Sequence, residues 1–323
     1  MDTTAITAGN TPRFTRAVVL HAPGQVGIDQ LALRPLDEGD VLVRVKQSGI
    51  SSGTERMLWS GTMPFFPGLS YPLVPGYEAL GVVEAIGSHA AVVVGDTVFV
   101  PGARCHEGAA GLFGASSQYL VSPANRVFPV RGTWTKDATL VALAATAFRA
   151  VHASEQLPEL IVGHGVVGRL IARLVTALGG SRPTVWETNA RRQSGAVDYD
   201  VTHPKDDDRT DYTVVCDASG DNAILDQLIA RTAKGGEVVL AGFYGERLSF
   251  GFPAAFMREV SLRIAAEFTP ADARAVIKLI DSGTLNLDGL VTHRMPATAA
   301  ANAYNTAFGD PECLKMVLDW SDS

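Results

Sequence analysis

The chain has 323 residues, of which 46% are apolar and 19% charged, and this is the composition of a packed protein long enough for two domains. Its net charge of −7, without a long basic run, excludes the charge pattern of a nucleic-acid-binding protein, so we expect no nucleic acid partner. No segment reaches the roughly 18 apolar residues of a membrane span, and residues 1–16 lack the apolar core of a signal peptide. We therefore expect a cytoplasmic protein without a membrane span.

The first part of the chain contains short apolar segments separated by glycine, proline and aspartate. Such spacing is typical of a mostly antiparallel β-domain. The predicted strands are 17–20, 41–45, 81–85, 97–100 and 118–121. We predict a flexible N-terminus over 1–14, followed by a β-barrel-like domain over 15–130.

After residue 130 the pattern changes to an alternation of strands and helices. The predicted strands are 160–162, 184–186, 213–215 and 238–240, and the predicted helices are 136–153, 169–178, 221–232 and 271–281. This alternation predicts a doubly wound parallel sheet, a Rossmann domain, over 131–284. The remainder, 285–323, is predicted to return to the first domain through a helix at 297–308 and a strand at 314–318.

A glycine turn connects the strand at 160–162 to the next helix. Gly163, Gly165 and Gly168 form a GxGxxG motif, in which the first glycine permits the turn, the second allows a pyrophosphate to approach, and the third packs helix against strand. Val166 and Val167, between the second and third glycines, are further cofactor-binding candidates, because free N–H groups near a helix N-terminus favour an anion. This placement predicts a dinucleotide site; His164 inside the turn is interpreted as a spacer.

Glu187 stands at the end of the next predicted strand. A carboxylate at this position accepts hydrogen bonds from the adenosine ribose and repels a 2′-phosphate, so we predict NAD rather than NADP. Arg192 is a further cofactor-binding candidate, because an arginine just past this strand can bind that phosphate. The alternative for Arg191 and Arg192 is a pair of solvated charges at the start of a helix.

Several motifs resemble the medium-chain dehydrogenase/reductase superfamily, which includes zinc alcohol dehydrogenases and quinone reductases. They are SGISSGTE at 48–55, PGYEALGVV at 75–83, VGDTV at 94–98, the glycine turn, and GGEVVLAG at 235–242. The resemblance extends over nearly the whole chain. It implies an α/β fold with a GroES-like β-barrel catalytic domain, a Rossmann domain and a C-terminal return, and it places Thr146 near the nicotinamide.

The zinc ligands of this superfamily have no counterparts here. Zinc-dependent members use a cysteine, a histidine, and a third thiolate or carboxylate, whereas this chain has Ser51 or Ser52, Tyr77, and the stretch beginning at Ala142. Hydroxyl and methyl groups do not supply the three ligands that a catalytic zinc requires. We therefore predict that no metal takes part.

Longer runs in the first half resemble one family in particular, dehydrogenases that oxidise the 1-hydroxyethyl group of a bacteriochlorophyllide to acetyl. They are WSGTMP at 59–64, YPLVPGYE at 71–78, VFVPGA at 98–103, GLFG at 111–114 and LAATA at 143–147. The resemblance implies an NAD-dependent alcohol dehydrogenase with a tetrapyrrole substrate, working late in bacteriochlorophyll a synthesis and forming a homodimer. The loop at 59–72, rich in Trp, Phe, Met and Pro, suits the wall of a cleft for a flat apolar ring.

Superfamily geometry suggests which residues act without zinc. The predicted catalytic residues are Tyr77, as the best hydroxyl donor, Ser52 and Thr54, which could pass a proton outward, and Glu78. For Tyr77 an aromatic ring filling the space left by zinc is the alternative, and Glu78 is more often structural.

Two other functions are compatible with this sequence. A zinc-free reductase of quinones or enones would also lack the ligands, and a non-catalytic dinucleotide-binding protein would keep the glycine turn. The long runs favour the tetrapyrrole dehydrogenase over the first. The retained Ser52, Thr54 and Glu78 argue against the second.

Overall fold

The computed structural model describes residues 12–245 and 247–321, which form two units. One unit contains the chain up to Ala142 together with the chain from Leu290 onward, and the other is Leu143–Gly289. The sequence places these boundaries at 130/131 and 284/285. Residues following 130 remain in the first unit, where Arg294 donates to the carbonyl oxygen of Lys136 and pairs with Asp137 at 3.1 Å. Residues 1–11 of the predicted flexible N-terminus lie outside the described residues.

The described chain contains eighteen strands and seven α-helices. In chain order, the strands are β1 (Phe14–Ala22), β2 (Gln25–Leu33), β3 (Asp40–Ile50), β4 (Leu73–Val74), β5 (Ala79–Ile86), β6 (Thr97–Val100), β7 (His106–Glu107), β8 (Ala110–Gly111), β9 (Tyr119–Pro123), β10 (Phe128–Pro129), β11 (Leu160–Val162), β12 (Thr184–Trp186), β13 (Asp200–Thr202), β14 (Tyr212–Asp217), β15 (Thr232–Leu240), β16 (Ser261–Ile264), β17 (His293–Pro296) and β18 (Met316–Asp319). The helices are α1 (Thr54–Ser60), α2 (Val141–His152), α3 (Val166–Ala177), α4 (Leu225–Arg231), α5 (Phe252–Arg258), α6 (Pro270–Asp281) and α7 (Ala300–Gly309).

The first unit consists of two mostly antiparallel sheets. One has the strand order β7-β2-β1-β4-β8, and the other has the order β10-β6-β5-β3-β18-β17 with β9 also paired to β3. Apolar side chains such as Leu20, Leu42 and Leu120 alternate toward a shared core, where each is fully buried. The last strand, β18, pairs antiparallel with β3 and sets Met316 opposite Ile50. The predicted β-domain is therefore confirmed, and the chain from Leu290 onward lies in the same unit.

The second unit contains one parallel sheet with the order β13-β12-β11-β14-β15-β16. From β11 the chain adds β12 and β13 on one side and then returns to add β14, β15 and β16 on the other. The strand order thus reverses between β11 and β14, and the carboxyl ends of strands at such a switch point are where doubly wound sheets bind ligands. The predicted Rossmann sheet is confirmed.

Some elements differ from the sequence prediction. Helix α4 begins at Leu225 rather than 221, because Ser219 and Asp221 side chains accept backbone N–H bonds and form turns ahead of it. Helix α2 begins at Val141, and the stretch before it, Thr133–Leu140, is a 3₁₀-helix. Strand β16 and helix α5 were not predicted.

Across residues 12–245 and 247–321, we find no helix with both the length and the apolarity needed to cross a membrane. The cytoplasmic location stays a prediction.

Candidate dinucleotide and catalytic sites

The glycine turn lies at the switch point of the parallel sheet, between β11 and α3. Gly163 has φ +93°, a left-handed conformation that glycine adopts without strain, and a Cβ there would come within 3.1 Å of the Ser219 backbone. A Cβ on Gly168 would collide with the carbonyl oxygen of Gly163. Both positions therefore require glycine so that α3 can pack against β11.

The N-terminus of α3 fits a bound pyrophosphate. Gly165 is the N-cap residue, no side chain caps the helix, and a Cβ on Gly165 would meet no atom within 4 Å. The N–H groups of Val166 and Val167 therefore have no capping side chain as an acceptor, and the helix dipole favours an anion here. These features match a dinucleotide phosphate in both space and charge.

Glu187 follows β12 and is fixed beside the glycine turn. Its Oε2 accepts a hydrogen bond from the backbone N–H of His164 at 3.1 Å, and its Oε1 accepts one from Asn189 at 2.8 Å. Each carboxylate oxygen has two lone pairs, so each retains capacity for a ribose hydroxyl. The structure thus brings Glu187 next to Gly163 and Gly165, as the motif requires.

His164 is a structural residue of the turn rather than a spacer, contrary to the sequence interpretation. It is fully buried, its Nδ1 lies 2.6 Å from the carbonyl oxygen of Arg192, and its Nε2 lies 2.7 Å from the Tyr199 hydroxyl. Burial lowers the pKa of His164 to about 4, so the ring is neutral at neutral pH. Because a carbonyl only accepts, Nδ1 holds the proton and Nε2 accepts from Tyr199.

The two remaining cofactor candidates lie in the same unit. Arg192 ends a short 3₁₀ turn, Ala190–Arg192, whose backbone is held by His164. Thr146 lies half-buried on α2. Their roles toward a cofactor stay predictions.

The first unit contains a second group of polar side chains, centred on Tyr77. The Tyr77 hydroxyl donates to Ser51 Oγ at 2.6 Å and also hydrogen-bonds Thr54. Burial, together with the neighbouring Glu78 carboxylate, raises the pKa of Tyr77 above its usual value. Tyr77 is therefore a neutral phenol at neutral pH, suited to exchanging hydrogen bonds rather than to acting as a free base.

Ser51 rather than Ser52 is the serine bonded to Tyr77. Ser51 is buried, whereas the side chain of Ser52 is exposed beside it at the turn into α1. The sequence left both serines open at the position of the lost cysteine, and only the turn geometry separates them.

Glu78 pairs with Lys315, a residue that the sequence did not single out. The Glu78 carboxylate is fully buried against the Lys315 ammonium group, which also donates to the carbonyl oxygen of Ile50 at 3.0 Å. Burial raises the pKa of Glu78, and the Lys315 charge opposes that rise. A Cβ on Gly49 would collide with the Glu78 carboxylate, so the glycine of the SGISSGTE motif makes room for this pair.

A second buried carboxyl, Glu55, lies behind the Tyr77 group. The Tyr304 hydroxyl donates to its Oε2 at 2.6 Å, and the backbone N–H of Ser51 donates to its Oε1 at 3.3 Å. Burial raises the pKa of Glu55 to about 7, although both hydrogen bonds oppose the rise. Its place in the SGISSGTE motif was the available signal, but its partner on α7 could not be foreseen.

The donor set near Tyr77 does not match a zinc site. Hydroxyl groups stand where the superfamily has ligands, and the Glu78 carboxylate already has Lys315 as its counter-ion. In the part of the chain that the structure describes, no group of three His, Cys, Asp or Glu residues is arranged to hold a metal ion.

Comparison with known proteins agrees with the two-unit fold. Residues 37–132 match the alcohol dehydrogenase GroES-like domain family. An Escherichia coli protein described as a short chain alcohol dehydrogenase, solved with NADH, has a TM-score of 0.81 at 20% identity, over 95% of this chain and 100% of that chain. A Sinorhizobium meliloti dehydrogenase bound to NADP also has a TM-score of 0.81, at 19% identity over 95% and 100% of the two chains. At these identities the likeness shows the fold alone.

The family match over residues 37–132 and the parallel sheet of the second unit define the class of fold, a GroES-like domain of the alcohol dehydrogenase kind together with a Rossmann domain. A relative from Rhodobacter capsulatus, named 2-desacetyl-2-hydroxyethyl bacteriochlorophyllide A dehydrogenase, is 51% identical over 96% of this chain and 99% of its own length. The chain belongs to the family of this dehydrogenase. The family predicted from the runs in the first half of the sequence is therefore confirmed.

Proposed function

We propose that the chain oxidises the 3-(1-hydroxyethyl) group of a bacteriochlorophyllide to 3-acetyl, late in bacteriochlorophyll a synthesis. The observation that supports this most is the 51% identity, over 96% of the chain, to a relative named for that kind of substrate. The Tyr77 hydroxyl cluster agrees with it, because oxidation of an alcohol needs groups that hydrogen-bond the oxygen and remove its proton.

We propose NAD as the hydride acceptor, and when bound it supplies the nicotinamide ring that takes the hydride. Gly163, Gly165 and the first N–H groups of α3 would hold its pyrophosphate. Glu187 would accept the adenosine ribose hydroxyls, and its negative charge would oppose a 2′-phosphate. This carboxylate supports NAD over NADP.

Removal of the hydroxyl proton falls to the protein, and we propose a zinc-independent route. The substrate hydroxyl donates to the Tyr77 oxygen, which keeps acceptor capacity while its own proton is directed at Ser51. As Tyr77 takes the substrate proton it releases its own toward Ser51, so its raised pKa is no obstacle. Ser51 in turn releases its own hydroxyl proton, which Thr54 and the exposed Ser52 lead to solvent. The conjugated macrocycle assists by spreading the positive charge that develops when hydride leaves.

Glu78 has a positioning role in this mechanism. It is fully buried with Lys315 as its counter-ion, so it holds the backbone that presents Tyr77 instead of touching the substrate. The ion pair also joins the start of β18 to the end of β3, immediately before Ser51.

We propose that the protein is a homodimer, formed through the edge of the parallel sheet. Strand β16 ends that sheet, and Ile264 on it is 76% exposed. On α5, Phe252, Phe256 and Met257 are 67%, 65% and 72% exposed. The outer edge of β16, with its apolar neighbours, would be covered by the same surface of a second copy. Phe256→Asp is expected to convert the dimer to monomer in sedimentation velocity, and a wild-type monomer would refute the proposal.

The test of the function uses the purified chain, NAD or NADP, and a 3-(1-hydroxyethyl) bacteriochlorophyllide. We expect a shift of the macrocycle absorption as the new carbonyl conjugates, with matching NADH formation, and a higher kcat/KM with NAD than with NADP. The same enzyme with quinones and enones plus reduced nucleotide tests the reductase alternative. Binding of NAD without any macrocycle shift would refute the proposed substrate.

A further inference from the structure

Two arginines on α3 are buried without a carboxylate partner. Arg169 and Arg173 are 8% and 6% exposed, and among the described residues neither forms an ion pair. Burial lowers the pKa of both. A buried cation is costly unless polar groups replace its hydration, so each guanidinium must be stabilised by the hydrogen-bond acceptors around it.

Arg169 binds one segment of backbone. Its Nη1 donates to the carbonyl oxygen of Gly195 at 3.0 Å, and its Nη2 donates to those of Arg192 at 3.1 Å and Ser194 at 2.8 Å. Its Nε donates to the carbonyl oxygen of His164, inside the glycine turn, at 3.1 Å. One side chain thus ties residues 192–195 to the turn.

The same segment is shaped to receive this guanidinium. Gly195 has φ +82°, and a Cβ there would come within 2.6 Å of Arg169 Nη1. The carbonyl oxygen of Arg192 also accepts from His164, whose backbone N–H in turn bonds Glu187. Arg169, His164, Glu187 and residues 192–195 therefore form one hydrogen-bonded unit, which we call the 192–195 clamp.

We propose that Arg169 is a positioning residue for the adenosine half of the cofactor, acting through the 192–195 clamp. Holding residues 192–195 against the turn fixes both sides of the space in front of Glu187 before the ligand arrives. Such preorganisation increases affinity because less ordering remains for binding to do. The inference rests on the proposed nicotinamide dinucleotide and says which part of it the clamp serves.

Arg173 provides a matched control on the same helix. It is as buried as Arg169 and likewise donates to carbonyl oxygens, at 2.8 and 3.0 Å, but these belong to Asn286 and Asp288. Its one link toward the clamp is a hydrogen bond with the Tyr199 hydroxyl, which contacts His164 and not residues 192–195. Replacing either arginine by methionine removes one buried guanidinium from α3. Only Arg169→Met removes hydrogen bonds that are made directly to residues 192–195.

The experiment measures binding of 5′-AMP and of NAD to the full chain by titration calorimetry, with thermal unfolding of each unliganded variant. Hydrogen bonds from a charged group are strong, so we expect Arg169→Met to weaken AMP and NAD by the same factor, about tenfold or more. Arg173→Met is expected to change AMP binding less than twofold. In Gly195→Ala the added methyl group would displace the Arg169 guanidinium, so this variant is expected to show the same loss of AMP affinity. It replaces Arg169→Met in the test if that variant does not fold.

Three outcomes distinguish the possibilities. Wild-type binding of AMP by Arg169→Met, or equal losses in Arg169→Met and Arg173→Met, would overturn the positioning role. A loss for NAD without a loss for AMP would overturn it as well. If the wild-type chain binds neither NAD nor NADP, it is the proposed cofactor that fails.

Discussion

Removing the cation of the buried Glu78–Lys315 pair is expected to destabilise the first unit strongly. Lys315→Met leaves the Glu78 carboxylate, 0% exposed, without its counter-ion, while the methionine retains most of the buried volume. Breaking such a pair from one side costs about 3–5 kcal/mol. With 2–4 °C per kcal/mol for domains of this size, the melting temperature should fall by roughly 6–20 °C.

The loss of stability in Lys315→Met should also depend on pH, in a direction that follows from the pKa of Glu78. Burial already raises the pKa of Glu78, and loss of Lys315 removes the charge that opposes the rise. A carboxyl with a raised folded pKa binds more protons in the folded state, so stability is lost as pH rises above the unfolded value. The deficit of Lys315→Met should therefore shrink as the pH is lowered from 8 toward 5.

Calorimetric unfolding at several pH values tests both statements. The control is Lys234→Met, because Lys234 and Glu259 form an exposed pair at 3.8 Å whose loss should cost less than about 1 kcal/mol. The double variant Glu78→Met with Lys315→Met should recover most of the loss, since apolar replacement of a buried pair is often neutral. A Lys315→Met protein as stable as the control, or a double variant no better than the single one, would refute the reasoning.

Three further predictions concern the proposed site. Burial raises the pKa of Glu55 to about 7, so ionisation of Glu55 costs stability as the pH rises from about 4.5 through 7. Glu55→Gln should therefore flatten the pH dependence of the melting temperature between these pH values, and an unaltered profile would contradict the prediction. Tyr77→Phe keeps the ring but loses the hydroxyl, and turnover should fall about 100-fold with the KM for NAD unchanged, whereas unchanged turnover would remove Tyr77 from the chemistry. Phe65 is 93% exposed on the 59–72 loop, so Phe65→Ala should raise the KM for the macrocycle about tenfold. The control Phe14→Ala, at another exposed phenylalanine, should leave this KM unchanged. A Phe65→Ala enzyme with the wild-type KM would exclude the loop as a binding wall.

These predictions depend on two groups of residues with different physical origins. The dinucleotide site is built from backbone N–H groups and one carboxylate, so it depends on glycines that let the chain approach the ligand. The Tyr77 group is built from side-chain hydroxyls above two buried carboxyls, so it depends on burial and counter-charge. Substitutions in the first group should alter cofactor affinity, and substitutions in the second should alter turnover and stability.

The local order of the fold was determined by the sequence itself. Short apolar segments separated by turn residues predicted β1, β3, β5, β6 and β9, and the strand-turn-helix context of Gly163, Gly165 and Gly168 predicted β11 followed by α3. These patterns are readable because they arise from contacts between residues close in the chain, where period and turn chemistry fix the conformation. The residue types at Ser51 or Ser52, Tyr77 and Ala142 likewise predict, before any contact is known, that a zinc ligand set is missing.

Only the tertiary structure decided which side chains meet. Lys315 reaches Glu78 and Ile50 because β18 pairs with β3, and Tyr304 reaches Glu55 from a helix near the other end of the chain. The choice of Ser51 over Ser52 for Tyr77 depends on the angle of one turn, and the use of Arg169 depends on where residues 192–195 fold back. Such contacts follow from burial and pairing between distant segments, which no local pattern specifies.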